Sequence, residues 1–306
     1  MTKNRSVRLA ELLAEATAIL TEAHVPSPRV DAELLAAHVL GVPRGRLAVA
    51  PDLDPDQERT FRHLVARRAA REPVQHLTGE APFRYEVLQV GPGVFIPRPE
   101  TEQLVMWGLS WLRAQGVHQP RVVDLCAGSG AIAIAVAAEK SGATVVAVER
   151  SPSALPWLRR NVEAAVAAGR LAPGSRLIVV EGDATDPAVL AEIDGSVDLV
   201  LSNPPYVPQL NRPTLPPEVA EHDPPEALFA GPDGLDVIRA LIPRIATLLR
   251  PGGAFALEHD ETHVHVVPTL LAADGRFTQV ETHKDLARRP RFTSGVRAVS
   301  PETVAD

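Results

Sequence analysis

Apolar residues in the first quarter of the chain recur at the three- and four-residue spacing of amphipathic helices. The first predicted helix, which Ser6 can cap, carries Leu9, Leu12, Leu13, Ala16, Ile19 and Leu20 on one face and ends before Pro26. A second begins at Ser27-Pro28 and stops at Gly41, and a third runs from Asp54-Pro55 to Pro73. This pattern predicts a small helical unit, either a packing module or a substrate-docking module.

The pattern changes to that of a hairpin between Phe83 and Ile96. Residues 83–90 predict a strand, Gly91-Pro92-Gly93 a turn and residues 94–96 a second short strand. We expect this hairpin to link two domains. The segment Ile96-Pro97-Arg98-Pro99-Glu100-Thr101-Glu102 then leads into a further helix.

From Arg121 onward, apolar strands alternate with helical stretches. The predicted strands are 121–125, 144–149, 176–181, 197–202, 254–258, 277–282 and 295–299, and the helices between them include 131–138, 154–168, 235–249 and 263–272. Repeated strand–helix units predict an α/β fold with a mainly parallel sheet and helices on both faces. The last two strands have too short a connection for a helical crossover, so we expect them to pair antiparallel.

The predicted domains are therefore a helical unit over residues 1–80, a hairpin linker over 81–98 and an α/β domain over 99–306. Composition narrows the function classes. The chain of 306 residues has a net charge of −7, which argues against broad phosphate-driven binding of nucleic acid. A single cysteine, Cys126, excludes an intrachain disulfide and a cysteine-rich zinc site. His263 and His265 have no supporting acid cluster, so no metal site is expected.

The N-terminus lacks the apolar core of a signal peptide, and no apolar run is long enough to span a bilayer. A cytoplasmic protein without membrane contact is expected.

Candidate chemistry begins at the end of the first predicted α/β strand. Asp124 is followed by Leu125-Cys126-Ala127-Gly128-Ser129-Gly130, a glycine-bearing turn that opens a helix. Glycine allows backbone to approach a ligand closely, and a helix N-terminus favours polar ligand groups. The turn lacks the Gly-Lys-Ser/Thr of a phosphate loop. Taken alone, it is either a nucleotide-binding turn or an ordinary tight turn.

The next two strands end in acids. Glu149 closes the second strand and can accept the hydroxyls of a ribose, and Asp183 closes the third and can accept the amino group of an adenine. Each alone is also typical of a solvated loop carboxylate. Together with the glycine turn they predict a nucleoside cofactor laid across the edge of the sheet.

The fourth strand ends in Asn203-Pro204-Pro205-Tyr206. Both prolines restrict the backbone, so the asparagine and tyrosine are presented in a stiff frame. The side-chain oxygen of Asn203 and the backbone carbonyl of Pro204 can accept the two N–H bonds of an NH2 group. Tyr206 offers a flat face for a planar amide or base. Glu258, at the end of a later strand, is either structural or part of the site.

These motifs resemble those of class I S-adenosylmethionine-dependent methyltransferases that act on amino groups. Five further stretches are similar to the PrmC/HemK family, namely residues 73–80, 96–102, 231–235, 251–253 and 284–287. The resemblance implies a seven-stranded Rossmann-like methyltransferase domain and an N-terminal helical substrate-recognition domain. It also implies methyl transfer from S-adenosylmethionine, leaving S-adenosylhomocysteine. The acceptor would be the glutamine side chain in the Gly-Gly-Gln motif of class 1 peptide chain release factors.

The resemblance assigns roles to individual residues. Cofactor binding falls to Asp124, Cys126, Ala127, Gly128, Ser129, Gly130, Glu149, Asp183, Ala184 and Asn203. Substrate binding falls to Asn203, Pro204, Pro205 and Tyr206, of which Asn203, Pro204 and Tyr206 are the expected catalytic residues. The chain departs from the family at several points. Cys126-Ala127 replaces a frequent Gly-Thr, Glu149 replaces a frequent Asp, and Ala184 stands where an aromatic residue is common.

Two other interpretations remain open. The same tetrapeptide occurs in methyltransferases that act on adenine in DNA or rRNA, or on glutamine in a ribosomal protein. A nucleic-acid enzyme needs a basic groove, which Arg67, Arg68 and Arg71, or Arg288, Arg289 and Arg291, could supply unless they are simply solvated. A non-catalytic cofactor-binding protein is the third interpretation, and the intact tetrapeptide argues against it. The loop 207–230 is either a surface loop or a substrate lid.

Overall fold

The computed structural model describes residues 8–299, so the predicted cap Ser6 lies outside the described part of the chain. Two compact units are present. The helical unit comprises the chain up to Glu80 together with Pro216–His222, and the sheet unit comprises Ala81–Leu215 and the chain from Asp223 onward. The helical unit is therefore assembled from two separate stretches of sequence.

The secondary structure follows the predicted alternation closely. The α-helices are α1 (Leu9–Glu22), α2 (Pro28–Leu40), α3 (Pro55–Ala69), α4 (Val74–Thr78), α5 (Thr101–Ala114), α6 (Ala131–Glu139), α7 (Leu155–Ala167), α8 (Pro217–Ala220), α9 (Pro225–Leu228), α10 (Asp236–Leu248) and α11 (Val266–Asp274). The strands are β1 (Glu80–Phe83), β2 (Glu86–Gln89), β3 (Arg121–Leu125), β4 (Thr144–Glu149), β5 (Arg176–Glu181), β6 (Val197–Ser202), β7 (Leu249–Glu258), β8 (Phe277–Lys284) and β9 (Pro290–Arg297). Short 3-10 helices occupy Arg44–Val49, Ala191–Ile193, Gln209–Thr214 and Glu261–His263.

The helical unit is built on the predicted apolar stripes. Helix α1 buries Leu9, Leu12, Leu13, Ala16 and Leu20, whereas Ile19, predicted on this face, is 38% exposed because it lies at the edge of the stripe. Helix α3 starts with a capping box in which Asp54 accepts from the backbone of Gln57 and the Gln57 side chain accepts from Asp54 N–H. Gly41 ends α2 in the left-handed conformation that glycine adopts without strain.

A buried ion-pair cluster crosses this unit. Arg68 donates from Nε to Asp31 at 2.7 Å and from Nη2 to Glu218 at 2.8 Å. Arg71 binds both oxygens of Glu218, at 2.8 and 2.6 Å. Although burial opposes it, hydrogen bonds from Arg71 and Arg68 lower the pKa of Glu218 to about 2. The interpretation of these arginines as a solvated helix face is therefore wrong for Arg68, which is buried.

The hairpin exists, but its turn falls earlier than predicted. Strands β1 and β2 pair with each other, and the chain reverses at Arg84-Tyr85 rather than at Gly91-Pro92-Gly93. Arg84 adopts a φ of 53°, and its backbone N–H donates to Glu102 at 2.9 Å. This contact from α5 stabilises a turn that no glycine signals. Val94 and Ile96, predicted as a second strand, are buried in irregular structure.

The sheet unit contains one seven-stranded sheet in the order β5-β4-β3-β6-β7-β9-β8. Strands β3 to β7 pair in parallel, and β9 pairs antiparallel with both β7 and β8. The predicted antiparallel pairing of the last two strands is confirmed. Strand β9 begins at Pro290 rather than Gly295, because its first half forms the register with the end of β7.

Apolar clusters cover both faces of this sheet, one with α5, α6 and α7 and the other with α10 and α11. The fold is the predicted Rossmann-like class. Because β3, β4, β5 and β6 are parallel, their carboxyl ends meet at one edge. No helix within residues 8–299 is both long and apolar enough to cross a lipid bilayer.

Candidate active site

Asp124 lies at the carboxyl end of the central strand β3 and is completely buried. Its Oδ2 accepts a hydrogen bond from the backbone N–H of Ala133 at 3.0 Å, near the start of α6. Its Oδ1 has no hydrogen-bond partner in the described structure. Burial raises the pKa of this carboxyl well above its usual range. This unpartnered buried oxygen can hydrogen-bond a polar ligand group, as a donor while the carboxyl is protonated and as an acceptor once it is ionised.

The turn after β3 is shaped by three residues with positive φ. Cys126, Gly128 and Gly130 have φ values of 65°, 55° and 88°. A side chain at Gly130 would collide with Leu158, whereas Gly128 faces open space. The backbone at Gly128 is therefore accessible to a ligand. Ala127 ties the turn to the neighbouring strand, because its N–H donates to Val148 O at 2.9 Å.

Ser129 is buried beneath this turn, and its carbonyl accepts a hydrogen bond from Asn161 Nδ2 at 3.0 Å. The Asn161 side chain also pairs with the backbone of Gln89. Its Oδ1 accepts from Gln89 N–H at 2.8 Å, and its Nδ2 donates to Gln89 O at 3.0 Å. Hydrogen bonds to Asn161 of α7 and to Val148 of β4 thus fix the glycine turn.

Glu149, at the end of β4, reaches back to the glycine turn. Its Oε2 accepts from Gly128 N–H at 2.8 Å, and its Oε1 accepts from the N–H groups of Arg150 and Ser151 at 2.8 and 2.7 Å. Three backbone donors leave this buried carboxylate with lone-pair capacity for one further hydrogen bond. The side chain of glutamate, one methylene longer than the frequent aspartate, spans this distance to Gly128.

Asp183 follows β5 and is half exposed. Its Oδ1 accepts from Thr185 N and Oγ1 at 2.9 and 2.7 Å, and its Oδ2 accepts from Arg150 Nη1 at 2.8 Å. Burial acts against ionisation, but the hydrogen bonds from Thr185 and Arg150 outweigh it and lower the pKa of Asp183. The next residue, Ala184, is buried among apolar side chains of the sheet.

The tetrapeptide Asn203-Pro204-Pro205-Tyr206 follows β6, the strand adjacent to β3. Ser202 joins the two strand ends, because its Oγ donates to Leu125 O at 2.7 Å inside the core. Asn203 Nδ2 donates to Thr101 Oγ1 at 3.1 Å. Asn203 is partly exposed, whereas Pro204 and Pro205 are buried. The asparagine is therefore the polar group that this rigid segment presents.

Tyr206 is fixed by its hydroxyl, which donates to Glu258 Oε1 at 2.9 Å. Burial, together with the negative charge of Glu258, raises the pKa of Tyr206 well above its usual range, so the phenol stays neutral. Glu258 Oε2 accepts from Thr101 Oγ1 at 2.7 Å. One buried carboxylate thus holds both Tyr206 and the partner of Asn203.

The chain beyond the tetrapeptide is anchored at its base. Val207 N–H donates to Leu228 O at 2.8 Å, and Ala230 N–H donates to Val207 O at 3.2 Å. Gly234, at a φ of 76°, lies against the carbonyl of Tyr206, and a side chain there would collide with it. The start and end of the loop 207–230 are therefore held together.

Thr101 is a residue of the site that the sequence did not reveal, and Glu258 is one that the sequence left open as either structural or part of the site. Thr101 lies in the segment Ile96-Pro97-Arg98-Pro99-Glu100-Thr101-Glu102. The similarity of this segment to the family was the only signal that could have pointed to it. Glu258 carried a weak signal as an acid at the end of a strand.

Five of the six arginines in the two groups, all except Arg288, are paired with acidic side chains. Arg67 pairs with Glu72, Arg289 with Asp285 and Glu100, and Arg291 with Asp285. Acidic partners neutralise these side chains and weaken the nucleic-acid interpretation. Between residues 8 and 299 no group of three or more His, Cys, Asp or Glu is arranged to hold a metal ion. His263 Nε2 instead bonds the backbone carbonyl of Asp233 at 2.9 Å.

Two family models match the chain. The model described as PrmC N-terminal domain matches residues 11–79, and one described as Conserved hypothetical protein 95 matches residues 83–221. A solved structure with a similar fold is the 16S rRNA N2 G1207 methyltransferase of T. thermophilus in complex with AdoMet and guanosine. It is 22% identical with a TM-score of 0.50, over 71% of this chain and 49% of that chain. This likeness supports the methyltransferase fold.

Curated relatives match almost the whole chain. The release factor glutamine methyltransferase of Streptomyces coelicolor is 49% identical, over 95% of this chain and 98% of the relative. The enzymes of the same name from Mycolicibacterium smegmatis and Deinococcus radiodurans are 49% and 42% identical, each over 95% of this chain and 98% and 99% of the relative. The chain therefore belongs to the family of release factor glutamine methyltransferases.

Proposed function

We propose that this protein transfers a methyl group from S-adenosylmethionine to the side-chain amide nitrogen of the glutamine in the Gly-Gly-Gln motif of class 1 peptide chain release factors. The carrying observation is the placement of Asn203 at the end of β6, next to the glycine turn at the end of β3 and linked to it through Ser202 and Leu125. A side chain able to bind an amide thus lies beside a glycine turn able to bind a nucleoside. Membership of the release factor glutamine methyltransferase family supports the choice of acceptor.

The residues at the strand ends fit the proposed cofactor. Asp124 Oδ1 is a buried acceptor without a partner, and Gly128 leaves open space above its backbone. Glu149 would accept a hydrogen bond from a ribose hydroxyl through its remaining lone-pair capacity, and Asp183 would accept one from the adenine amino group. When bound, S-adenosylmethionine supplies a methyl group on a positively charged sulfur. Cys126, Ala127, Ser129, Gly130 and Ala184 would form the rest of the cofactor-binding surface.

Asn203 and Pro204 would hold the substrate. A carboxamide nitrogen is a weak nucleophile because its lone pair is delocalised into the carbonyl, so positioning supplies most of the rate. Asn203 Oδ1 and the Pro204 carbonyl would accept the two N–H bonds and favour the positive charge that develops on nitrogen. Tyr206 and Pro205 would pack against the amide plane. The surplus proton leaves to solvent after the N–C bond has formed, so no strong base is needed.

The helical unit would recognise the release factor, and the loop 207–230 would cover the bound Gly-Gly-Gln segment. The proposed substrate places the enzyme in the cytoplasm, where release factors act.

The test is transfer of a labelled methyl group from S-adenosylmethionine by the purified protein. The acceptors are a class 1 release factor, the same factor with its Gly-Gly-Gln glutamine replaced by alanine, DNA, rRNA and ribosomal protein. We expect label only on the unaltered release factor, at the glutamine amide. Label on a nucleic acid or a ribosomal protein in place of the release factor would contradict the proposal. Cofactor binding without transfer to any acceptor would favour a non-catalytic role.

A further inference from the structure

A chain of three hydrogen bonds runs from the substrate-facing amide into the core of the sheet unit. Asn203 Nδ2 donates to Thr101 Oγ1 at 3.1 Å, and Thr101 Oγ1 donates to Glu258 Oε2 at 2.7 Å. The other oxygen of Glu258 accepts from Tyr206 OH at 2.9 Å. This relay of Asn203, Thr101, Glu258 and Tyr206 joins residues far apart in sequence and is centred on the buried carboxylate of Glu258.

The ionised carboxylate fixes the direction of every bond in this chain. A carboxylate only accepts hydrogen bonds, so the single hydroxyl proton of Thr101 must point to Glu258. The Thr101 oxygen then has only lone pairs to offer Asn203, which must present its NH2 group to it. Asn203 Oδ1 is thereby turned the other way, and within residues 8–299 it accepts no hydrogen bond. The choice between the two amide orientations, otherwise ambiguous, is settled by the network.

We propose that Thr101 and Glu258 are positioning residues for methyl transfer, which set the Asn203 carboxamide so that its oxygen faces the substrate NH2 group. They act through Asn203 and Tyr206 and do not touch the reacting atoms. The inference rests on the proposed function, because only an NH2 acceptor requires an oxygen at this place.

The wrong orientation would be costly. If the Asn203 amide turned over, its NH2 group would face the substrate NH2, and two donors would oppose each other. The tetrapeptide would keep its backbone shape, yet one of its two acceptors would be lost. The expected signature is therefore a fall in kcat, because the nitrogen is no longer aimed, rather than loss of the cofactor site.

Protonation of Glu258 would cause this reversal. A neutral carboxyl can donate to Thr101, whose own proton is then free to point at Asn203 and to draw its oxygen inward. Burial raises the pKa of Glu258 to about 7, against the hydrogen bonds from Thr101 and Tyr206 and the charge of Arg291. The orientation of Asn203 is thus coupled to a proton near neutral pH.

The charged surroundings of Glu258 are largely neutralised. The titratable and charged groups around it are Tyr206 after β6, Glu100 before α5, Arg291 on β9 and the neighbouring His259. Arg291 pairs with Asp285 at 3.2 Å, and Glu100 pairs with Arg289 at 3.3 Å. The His259 ring bonds Thr293 and the Asp260 carbonyl, and burial lowers its pKa. Glu258 is therefore the group at this place whose charge changes near pH 7.

The first experiment measures kcat on a release factor against pH. In wild type kcat should rise through about pH 7 as Glu258 ionises, and then level off. Glu258→Gln carries a donor at every pH, so we expect a kcat about tenfold below the wild-type plateau and no rise near pH 7. The exposed variant Glu261→Gln is the matched control and should keep the wild-type profile. A rise near pH 7 that survives in Glu258→Gln would overturn the inference.

The second experiment removes the Thr101 hydroxyl at nearly constant shape. Thr101→Val should lower kcat about 10- to 100-fold, with KM and the cofactor Kd changed by less than about threefold. Thr101→Ser restores the hydroxyl and should recover most of the lost kcat. Thr269→Val removes an exposed threonine hydroxyl bond within α11, outside the site, and serves as the control. Wild-type kcat in Thr101→Val, or a kcat for Thr101→Ser as low as that of Thr101→Val, would contradict the relay.

A third measurement needs no substrate and so separates this inference from the proposed function. The side-chain 1H–15N signals of Asn203, assigned by their loss in Asn203→Ala, should shift with a midpoint near pH 7 in wild type and stay constant in Glu258→Gln. Such a titration in a protein that methylates no release factor would refute the proposed function and leave the relay standing. Asn203 signals that do not shift with pH in wild type would refute the relay and would leave the proposed function untouched.

Discussion

The two halves of the candidate site are held by hydrogen bonds of very different reach along the chain. In the cofactor half, formed by the loops after β3, β4 and β5, the bonds that Asp124, Glu149 and Asp183 accept span at most 33 positions of the chain. Asp183 bonds a residue two positions away, and Asp124 bonds one nine positions away. In the amide half, formed by Asn203, Tyr206 and their partners, Asn203 bonds a residue 102 positions away, and that residue bonds another 157 positions away.

The difference teaches where each half obtains its rigidity. The cofactor half takes its shape from turns at the strand ends and from bonds between adjacent loops, such as the bond from Gly128 N–H to Glu149. The amide half has its side chains in place only when β6, β7 and α5 are already packed together. Damage to the cofactor half should therefore weaken binding in steps, whereas damage to the amide half should stop turnover while cofactor binding survives.

The largest expected effect comes from Asn203→Ala. Loss of the acceptor proposed to aim the substrate nitrogen should lower kcat at least about 10³-fold. Cofactor affinity, measured by calorimetry, should suffer less than in Asp124→Ala, which removes the buried acceptor at the end of β3. Gln115→Ala, which removes an exposed side-chain amide just after α5, is the matched control. Turnover of a release factor by Asn203→Ala at the wild-type rate would erase the distinction between the halves.

Glu149→Ala tests the opposite side of the comparison. It leaves Gly128 N–H without its acceptor and removes the proposed ribose contact, so cofactor Kd should rise about 10- to 100-fold. At saturating cofactor, kcat should fall much less than in Asn203→Ala. Glu163→Ala, an exposed position of α7, should leave Kd unchanged. A kcat loss as large as that of Asn203→Ala would show that the halves do not act separately.

Ser202→Ala probes the hydrogen bond that joins the halves. The substitution leaves the buried Leu125 carbonyl without this partner, and the free energy of unfolding should fall by about 1–2 kcal/mol. Chemical denaturation measures the change, with the exposed Ser110→Ala as a reference. An effect no larger than that of Ser110→Ala would mean that backbone pairing of β3 with β6 and packing are enough to join the strand ends.

The smallest effect is expected from Cys126→Gly in the cofactor half. Cys126 holds a φ of 65°, which costs a residue with a side chain about 1–2 kcal/mol and costs glycine little. Since glycine also loses more entropy on folding, the net gain in stability should be about 0.5–1 kcal/mol. Ala127→Gly, at a residue without positive φ, should instead lower stability by about 0.5–1 kcal/mol. Equal effects of the two variants would exclude relief of strain.

The sequence predicted what depends on local pattern. The strand ends that carry Asp124, Glu149 and Asp183 follow from short apolar runs that stop at a turn, and the sheet direction follows from their alternation with helices. The roles of these residues toward a cofactor remain predictions that the experiments above test.

What escaped prediction depends on contacts between distant segments. The hairpin turn at Arg84 is stabilised by Glu102, and no turn residue marks it. Arg68 belongs to a charged sequence that looks solvated, yet it is buried because Asp31 and Glu218 pair with it. No local sequence pattern marks the bond between Thr101 and Glu258, because the role of each residue depends on a partner 157 positions away in the chain.

The helical unit is not one continuous stretch of the chain, because the segment Pro216–His222 belongs to it. The N-terminal family model covers residues 11–79, but the folded unit also needs this piece from far downstream. Removal of residues 1–80 would leave Glu218 without Arg68 and Arg71, which bind it within the helical unit. Any exchange of N-terminal segments between relatives, in the laboratory or in evolution, must therefore carry a matching downstream segment with it.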